Sequence, residues 1–229
     1  TFKDLSEAYD RISYGTKSNI IRTVEQNTRT AYHEAGHAII GYIFLQHEDV
    51  IKATIIPRAG ALGFVAPRGR YEVFGHNREE LRSNIKFGLG SYAAEMIKFG
   101  TTATGVGGGP GSDFYRALQI AHGMVWSYGM GPSGLIGDFH ALSRGWSPET
   151  HLSEKTREKL DEDVQAIMQE CLKECLDTLN THRDLLEHFA QELLKKEELE
   201  YDEIEAIFEK FGVKPKYRPP FLEDDEGNA

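Results

Sequence analysis

Cysteine is scarce, with two residues in 229, so a disulfide scaffold is excluded. Long hydrophobic runs are also missing. No segment approaches the roughly 18–20 apolar residues needed to cross a bilayer. A positive charge excess is absent as well: 26 Lys and Arg stand against 36 Asp and Glu, for a net of −10. That balance argues against a general nucleic-acid binder. The chain starts at Thr1 without a signal-peptide pattern and reads as an excised or processed fragment. What is present is an ordinary globular composition, 40% hydrophobic and 27% charged, in a chain long enough to bury a substantial core.

The acidity is unevenly placed. Residues 1–147 carry 15 basic and 13 acidic side chains, whereas residues 148–229 carry 11 and 23. This split suggests two parts with different surfaces: a core over 1–150 and a helical C-terminal part over 151–215. An acidic tail over 216–229 is expected to be disordered.

The pattern predicts a mainly α fold with a small β-hairpin or sheet. A short helix is expected over 3–14, stopped by Gly15. A long one follows over about 18–46, with Ile20, Ile21, Val24, Ala31, Ala35, Ala38 and Ile39 near a 3.6 period. Residues 50–57 and 61–67 read as strands joined by a turn at 57–60. Asn77 can cap a helix over 78–99. Six glycines and a proline in 100–111 should prevent any helix or strand there. Ser112 then caps a helix to about Tyr128, and 129–150 is an irregular loop. From Ser153 an apolar stripe including Leu160, Val164, Ile167, Cys171, Cys175 and Leu179 marks a long amphipathic helix. Helices over 182–195 and 201–211 complete the chain.

One motif carries chemistry. His33-Glu34-Ala35-Gly36-His37 is H-E-x-x-H. On a helix, residues four apart face the same way, so both imidazoles can reach one Zn²⁺. Glu34 lies about 100° further round and can act as general base on a water there. The competing reading is a chance match on a surface helix. The apolar neighbours Ala31, Tyr32, Ala35, Ala38, Ile39 and Ile40 argue instead for a buried helix, where two His and a Glu need a partner. Catalytic zinc usually takes a third protein ligand. Glu95 and Asp113 are both candidates, and spacing leaves the choice open. Asp113 could equally be a plain helix N-terminal charge, and Glu95 a carboxylate paired with an Arg. His47, His76, His140 and His151 read as exposed loop residues, and His122, His182 and His188 as structural. Cys171 and Cys175 read as core thiols. The glycine run lacks the Lys-Ser/Thr of a phosphate loop.

An ordered set of segments resembles the peptidase domain of the FtsH-type AAA metalloproteases. These are FKDLSEAYDRISYG, TAYHEAGHAII, TIIPRAGALGFV, LGSYAAEMIKFG, GSDFYRALQIAHGMV and HRDLLEHFAQELLKKEELEYDEI, covering about residues 2–211. The resemblance implies a helical metalloprotease domain with one Zn²⁺ held by His33, His37 and Asp113, and Glu34 as base. It leaves Glu95 as a carboxylate behind the ligands. It implies that unfolded polypeptides add as a strand at Ala61, Leu62, Gly63, Phe64 and Val65. It also implies a homo- or hetero-hexamer, and an ATPase module using ATP and Mg²⁺ together with a membrane anchor elsewhere in the protein. Ser91-Tyr92 replaces the family's Gly-Arg pair, Met96 its second Glu, and the loop before Asp113 is longer. A catalytically silent assembly or chaperone module of the same fold, and a soluble zinc protease using Glu95 as ligand, are the alternatives.

Overall fold

The computed structural model describes residues 8, 11–13, 15–18, 20–58, 60–143 and 152–217. Most of the helix expected over 3–14, His151, and the tail beyond residue 217 lie outside them. The chain is mainly helical with one small sheet, as expected.

Helix α1, Val24–Phe44, is set by Thr23, whose side chain accepts from the Gln26 N–H while the Gln26 side chain bonds back to the Thr23 N–H. This reciprocal cap starts the helix six residues later than the periodicity predicts. Ile21 and Val24 accordingly face solvent, at 99% and 83% exposure, instead of continuing the buried stripe. From Thr30 to Phe44 nearly every residue of α1 is buried.

Strand β1 is Glu48–Thr54 and β2 is Phe64–Gly69. They pair antiparallel from Glu48↔Gly69 to Thr54↔Phe64, with an irregularity between Val50 and Lys52. β2 begins three residues later than the alternation predicts. A tight turn forms first, in which Arg58 and Ala61 exchange backbone hydrogen bonds at 3.0 and 2.8 Å. Of the five expected substrate-strand residues, Phe64 and Val65 are therefore in the strand, and Ala61, Leu62 and Gly63 form its approach.

Helix α2, Arg78–Phe99, has its predicted Asn77 capping box and ends at Gly100 in the left-handed region (φ 67°). The glycine-rich segment holds one 3₁₀ turn, Thr104–Val106, although no helix was expected there. It breaks off at once, with Gly108, Gly109 and Gly111 at positive φ. Helix α3, Asp113–Trp126, follows its Ser112 cap. A short helix α4, Phe139–Ser143, interrupts the expected loop.

Helix α5, Glu154–Thr181, buries Leu160, Val164, Ile167, Cys171, Cys175 and Leu179 against α2 and α3. Helices α6, Arg183–Lys196, and α7, Tyr201–Lys210, follow. Between them lies a strand absent from the sequence reading, β3 (Glu198–Glu200), which adds to the far side of β1 and gives the order β2-β1-β3. Three residues reading Glu-Leu-Glu carry no strand signature. Tertiary pairing makes them one.

The core gathers around α1, which packs on α2, α6 and the sheet. α1 and α2 cross at Gly36 and Gly90. A Cβ on Gly36 would run into the Gly90 carbonyl and lie 2.6 Å from Ala94 Cβ, and one on Gly90 would lie 2.7 Å from the Gly36 carbonyl. Only glycine permits this approach, and it brings the motif helix directly onto α2. No helix among the described residues is long and apolar enough to cross a membrane.

Candidate metal centre and active site

Helical spacing puts His33 and His37 on one face of α1, their ring centroids 5.0 Å apart. Asp113, the first residue of α3, enters from the opposite side. One of its oxygens, Oδ2, lies 3.2 Å from His33 Nε2 and 3.3 Å from His37 Nε2. Three ligand atoms from these residues lie within 4.8 Å of one another, and no other such group of His, Cys, Asp or Glu occurs among the described residues. The two carboxylate candidates are thus separated by geometry. Asp113 shares the Nε2 side with both rings, whereas Glu95 lies behind His33, with Oε1 2.8 Å from its Nδ1.

The opposite nitrogens decide how the rings are presented. His37 Nδ1 is 2.7 Å from the Phe87 carbonyl, which can only accept, so Nδ1 carries the proton. His33 Nδ1 faces Glu95. Burial favours the neutral acid at Glu95, but bonds from His33, the Ala103 N–H and Arg29 outweigh it and hold the carboxyl below its ordinary value. An ionised Glu95 also only accepts. In the neutral imidazoles both Nε2 lone pairs therefore point at the place where Asp113 Oδ2 stands. This donor set fits a divalent zinc-type cation: two oriented imidazoles and one carboxylate, with outer partners on both rings.

The two carboxylates also draw a proton onto this ring: burial disfavours the imidazolium of His33, but Asp113 and Glu95 outweigh it and raise its pKa to about 10, so a cation binding at Nε2 would displace that proton. Burial likewise works against an ionised Asp113, yet His37 and His33 drive its carboxyl far below the usual range. The cluster is an anionic pocket held against imidazole nitrogens. Ser91 donates to the same Oδ2 at 3.1 Å.

Glu34 is buried beside the cluster. Burial raises its carboxyl above the ordinary value, while His33 and His37 pull it down. Gly63 covers it: a Cβ there would lie 2.8 Å from Glu34 Oε1 and 2.6 Å from the Thr54 carbonyl. The approach to the edge strand therefore rests on Glu34.

The other candidates fall elsewhere. His47 is not a free loop residue. It is half-buried against Tyr71, and its Nε2 lies 2.9 Å from Glu80. Cys171 and Cys175 are buried, and burial pushes the Cys171 thiol up to about 11, which suits a packed thiol rather than a nucleophile. Two site neighbours were not read from the sequence. Arg22, whose guanidinium bonds the Leu62 and Ile55 carbonyls, has no local signature. Ser91 was visible only as a departure from the family's Gly-Arg pair.

The sequence pattern of peptidase family M41 matches residues 20–207, which include every residue of this site. The chain belongs to peptidase family M41. It is 38% identical over 213 residues to the ATP-dependent zinc metalloprotease FtsH of Borreliella burgdorferi, covering 90% of this chain and 33% of the relative. The FtsH proteins of Thermus thermophilus and Bacillus subtilis are 35% and 34% identical, over 91% and 99% of this chain. The chain thus spans about a third of the length of these relatives.

Proposed function

We propose that this chain is the zinc endopeptidase domain of a larger ATP-dependent protease that degrades unfolded polypeptides. The reading rests above all on the convergence of His33 Nε2, His37 Nε2 and Asp113 Oδ2, with a buried carboxylate beside them. The three side chains would hold Zn²⁺, which would supply Lewis acidity toward the scissile carbonyl and the attacking water. Glu34 takes the proton from the attacking water and returns it to the leaving nitrogen. Glu95, itself held by Arg29 and the Ala103 N–H, fixes the His33 ring, and the Phe87 carbonyl fixes His37. Ser91 steadies Asp113.

Substrate adds as a strand along β2, which ends the sheet on the side away from β1. Backbone pairing makes such binding tolerant of sequence. Leu62 to Val65 lead that edge past Glu34. ATP hydrolysis, hexamer assembly and membrane anchoring belong, in this reading, to the protein as a whole.

Exchange of Glu34 for Gln tests the reading. The variant should keep its zinc and lose cleavage of casein. Wild-type rates in that variant would remove Glu34 from the mechanism. Wild-type protein without bound zinc at neutral pH would favour the silent assembly module.

A further inference from the structure

We propose that Arg22 is a positioning residue for peptide cleavage: its guanidinium ties Leu62 to Ile55 across the β1–β2 loop and so holds Gly63 against Glu34. The inference rests on the proposed roles of Glu34 and of the β2 edge.

The segment that leads into α1 does more than connect. Residues 15–18 and 20–22 run beside residues 55–58 and 60–62. Lys17 pairs antiparallel with Arg58, the Ser18 N–H donates to the Pro57 carbonyl at 2.8 Å, and Arg58 Nη1 donates to the Gly15 carbonyl at 3.2 Å. Arg22 ends this seam. Its Nη1 donates to the Leu62 carbonyl at 2.9 Å and its Nη2 to the Ile55 carbonyl at 2.5 Å. One planar group therefore ties both arms of the loop between β1 and β2.

One consequence follows for the site. Leu62 immediately precedes Gly63, the residue whose backbone leaves no room for a Cβ between Glu34 and the Thr54 carbonyl. Fixing Leu62 fixes that contact. Arg22 also stands one residue before the Thr23 cap of α1, so the same short segment anchors the motif helix and the substrate edge.

The test compares full-length wild-type protein with Arg22→Ala, Arg22→Lys and, as a surface control, Arg183→Ala. Hydrogen exchange is read at Leu62–Ala66 and over α5 and α6. KM and kcat are measured with labelled casein. Loss of the two bonds should speed exchange at Leu62–Ala66 about tenfold in Arg22→Ala, with α5 and α6 unchanged. KM should rise about five- to tenfold with kcat within about twofold, since substrate docking is affected more than chemistry. Arg22→Lys should recover part of both, because an ammonium cannot fork to two carbonyls. Unchanged exchange, exchange that rises uniformly across the chain, or a fall in kcat at constant KM overturns the proposal. An inactive zinc-loaded wild type instead strikes at the peptidase reading, which separates the two failures.

Discussion

The crossing of α1, α2 and α3 and the layer of α5, α6 and α7 packed onto α1, α2, α3 and the sheet solve different problems. The first is lined by small residues, Ala31, Ala35, Gly36, Ala38, Gly90, Ala93 and Ala94, and encloses His37, Glu34, Glu95 and Ser91. The second is built from Leu160, Leu179, Leu185, Phe189, Leu193 and Phe208, with an acidic exterior. Small residues bring backbones close enough for a carbonyl to reach a ring nitrogen, but they bury little apolar surface per residue. Large residues contribute that surface and leave little room for polar groups, Asp163 with its Ser133 partner being the exception. The helical C-terminal part thus offsets the cost of a buried, charged site.

If this contrast is right, variants in the two regions should fail differently. The largest effect is expected for Glu34→Gln, which should lower kcat by about 10²–10⁴-fold while zinc content by mass spectrometry and the melting temperature hold. Next comes Asp113→Asn, which should lose zinc on dialysis. Glu95→Gln should retain it with about 10–100-fold weaker affinity, by competition with a chelator. The reverse order would make Glu95 the ligand. In the other region, Phe189→Ala should cost about 3–5 kcal/mol in denaturant unfolding, with zinc affinity of the folded fraction unchanged. Gly36→Ala should be the mixed case. It forces α1 off α2, costs about 1–3 kcal/mol, and weakens zinc because His37 loses the Phe87 carbonyl.

The smallest effect concerns the joint between the regions. Glu174 on α5 meets Lys86 and Arg82 of α2 at 2.5 and 2.7 Å. Burial favours its neutral form, but these cations outweigh it and hold its carboxyl below 4.5. A depressed native value stabilises the fold above the unfolded value, and that stability is lost as pH falls through the native one. Acid unfolding below about pH 4.5 should therefore be shallower in Glu174→Gln, measured by circular dichroism against pH.

Much of this was legible in the residues, and the gaps have specific causes. Asn77, Ser112 and Ser153 mark helix starts correctly because capping is local chemistry. The helix over 18–46 is misplaced at its start because Thr23 and Gln26 cap more strongly than Ile20 and Ile21 extend a stripe. β3 was missed because a Glu-Leu-Glu triplet becomes a strand only when β1 is beside it. His33, Glu34 and His37 were readable because four residues of α-helix fix their shared face. Between Glu95 and Asp113, only the resemblance favoured Asp113.

By itself, then, the sequence determined the long helices, the two imidazoles and the carboxylate between them, since each depends on neighbours within about one helical turn. Tertiary structure alone decided that Asp113 stands on the Nε2 side and Glu95 behind Nδ1, that Gly63 lies over Glu34, and that Arg22 reaches across to Leu62. These contacts join residues 29 to 80 positions apart, and the close crossing at Gly36 and Gly90 brings the α1 motif and the helix bearing Glu95 together.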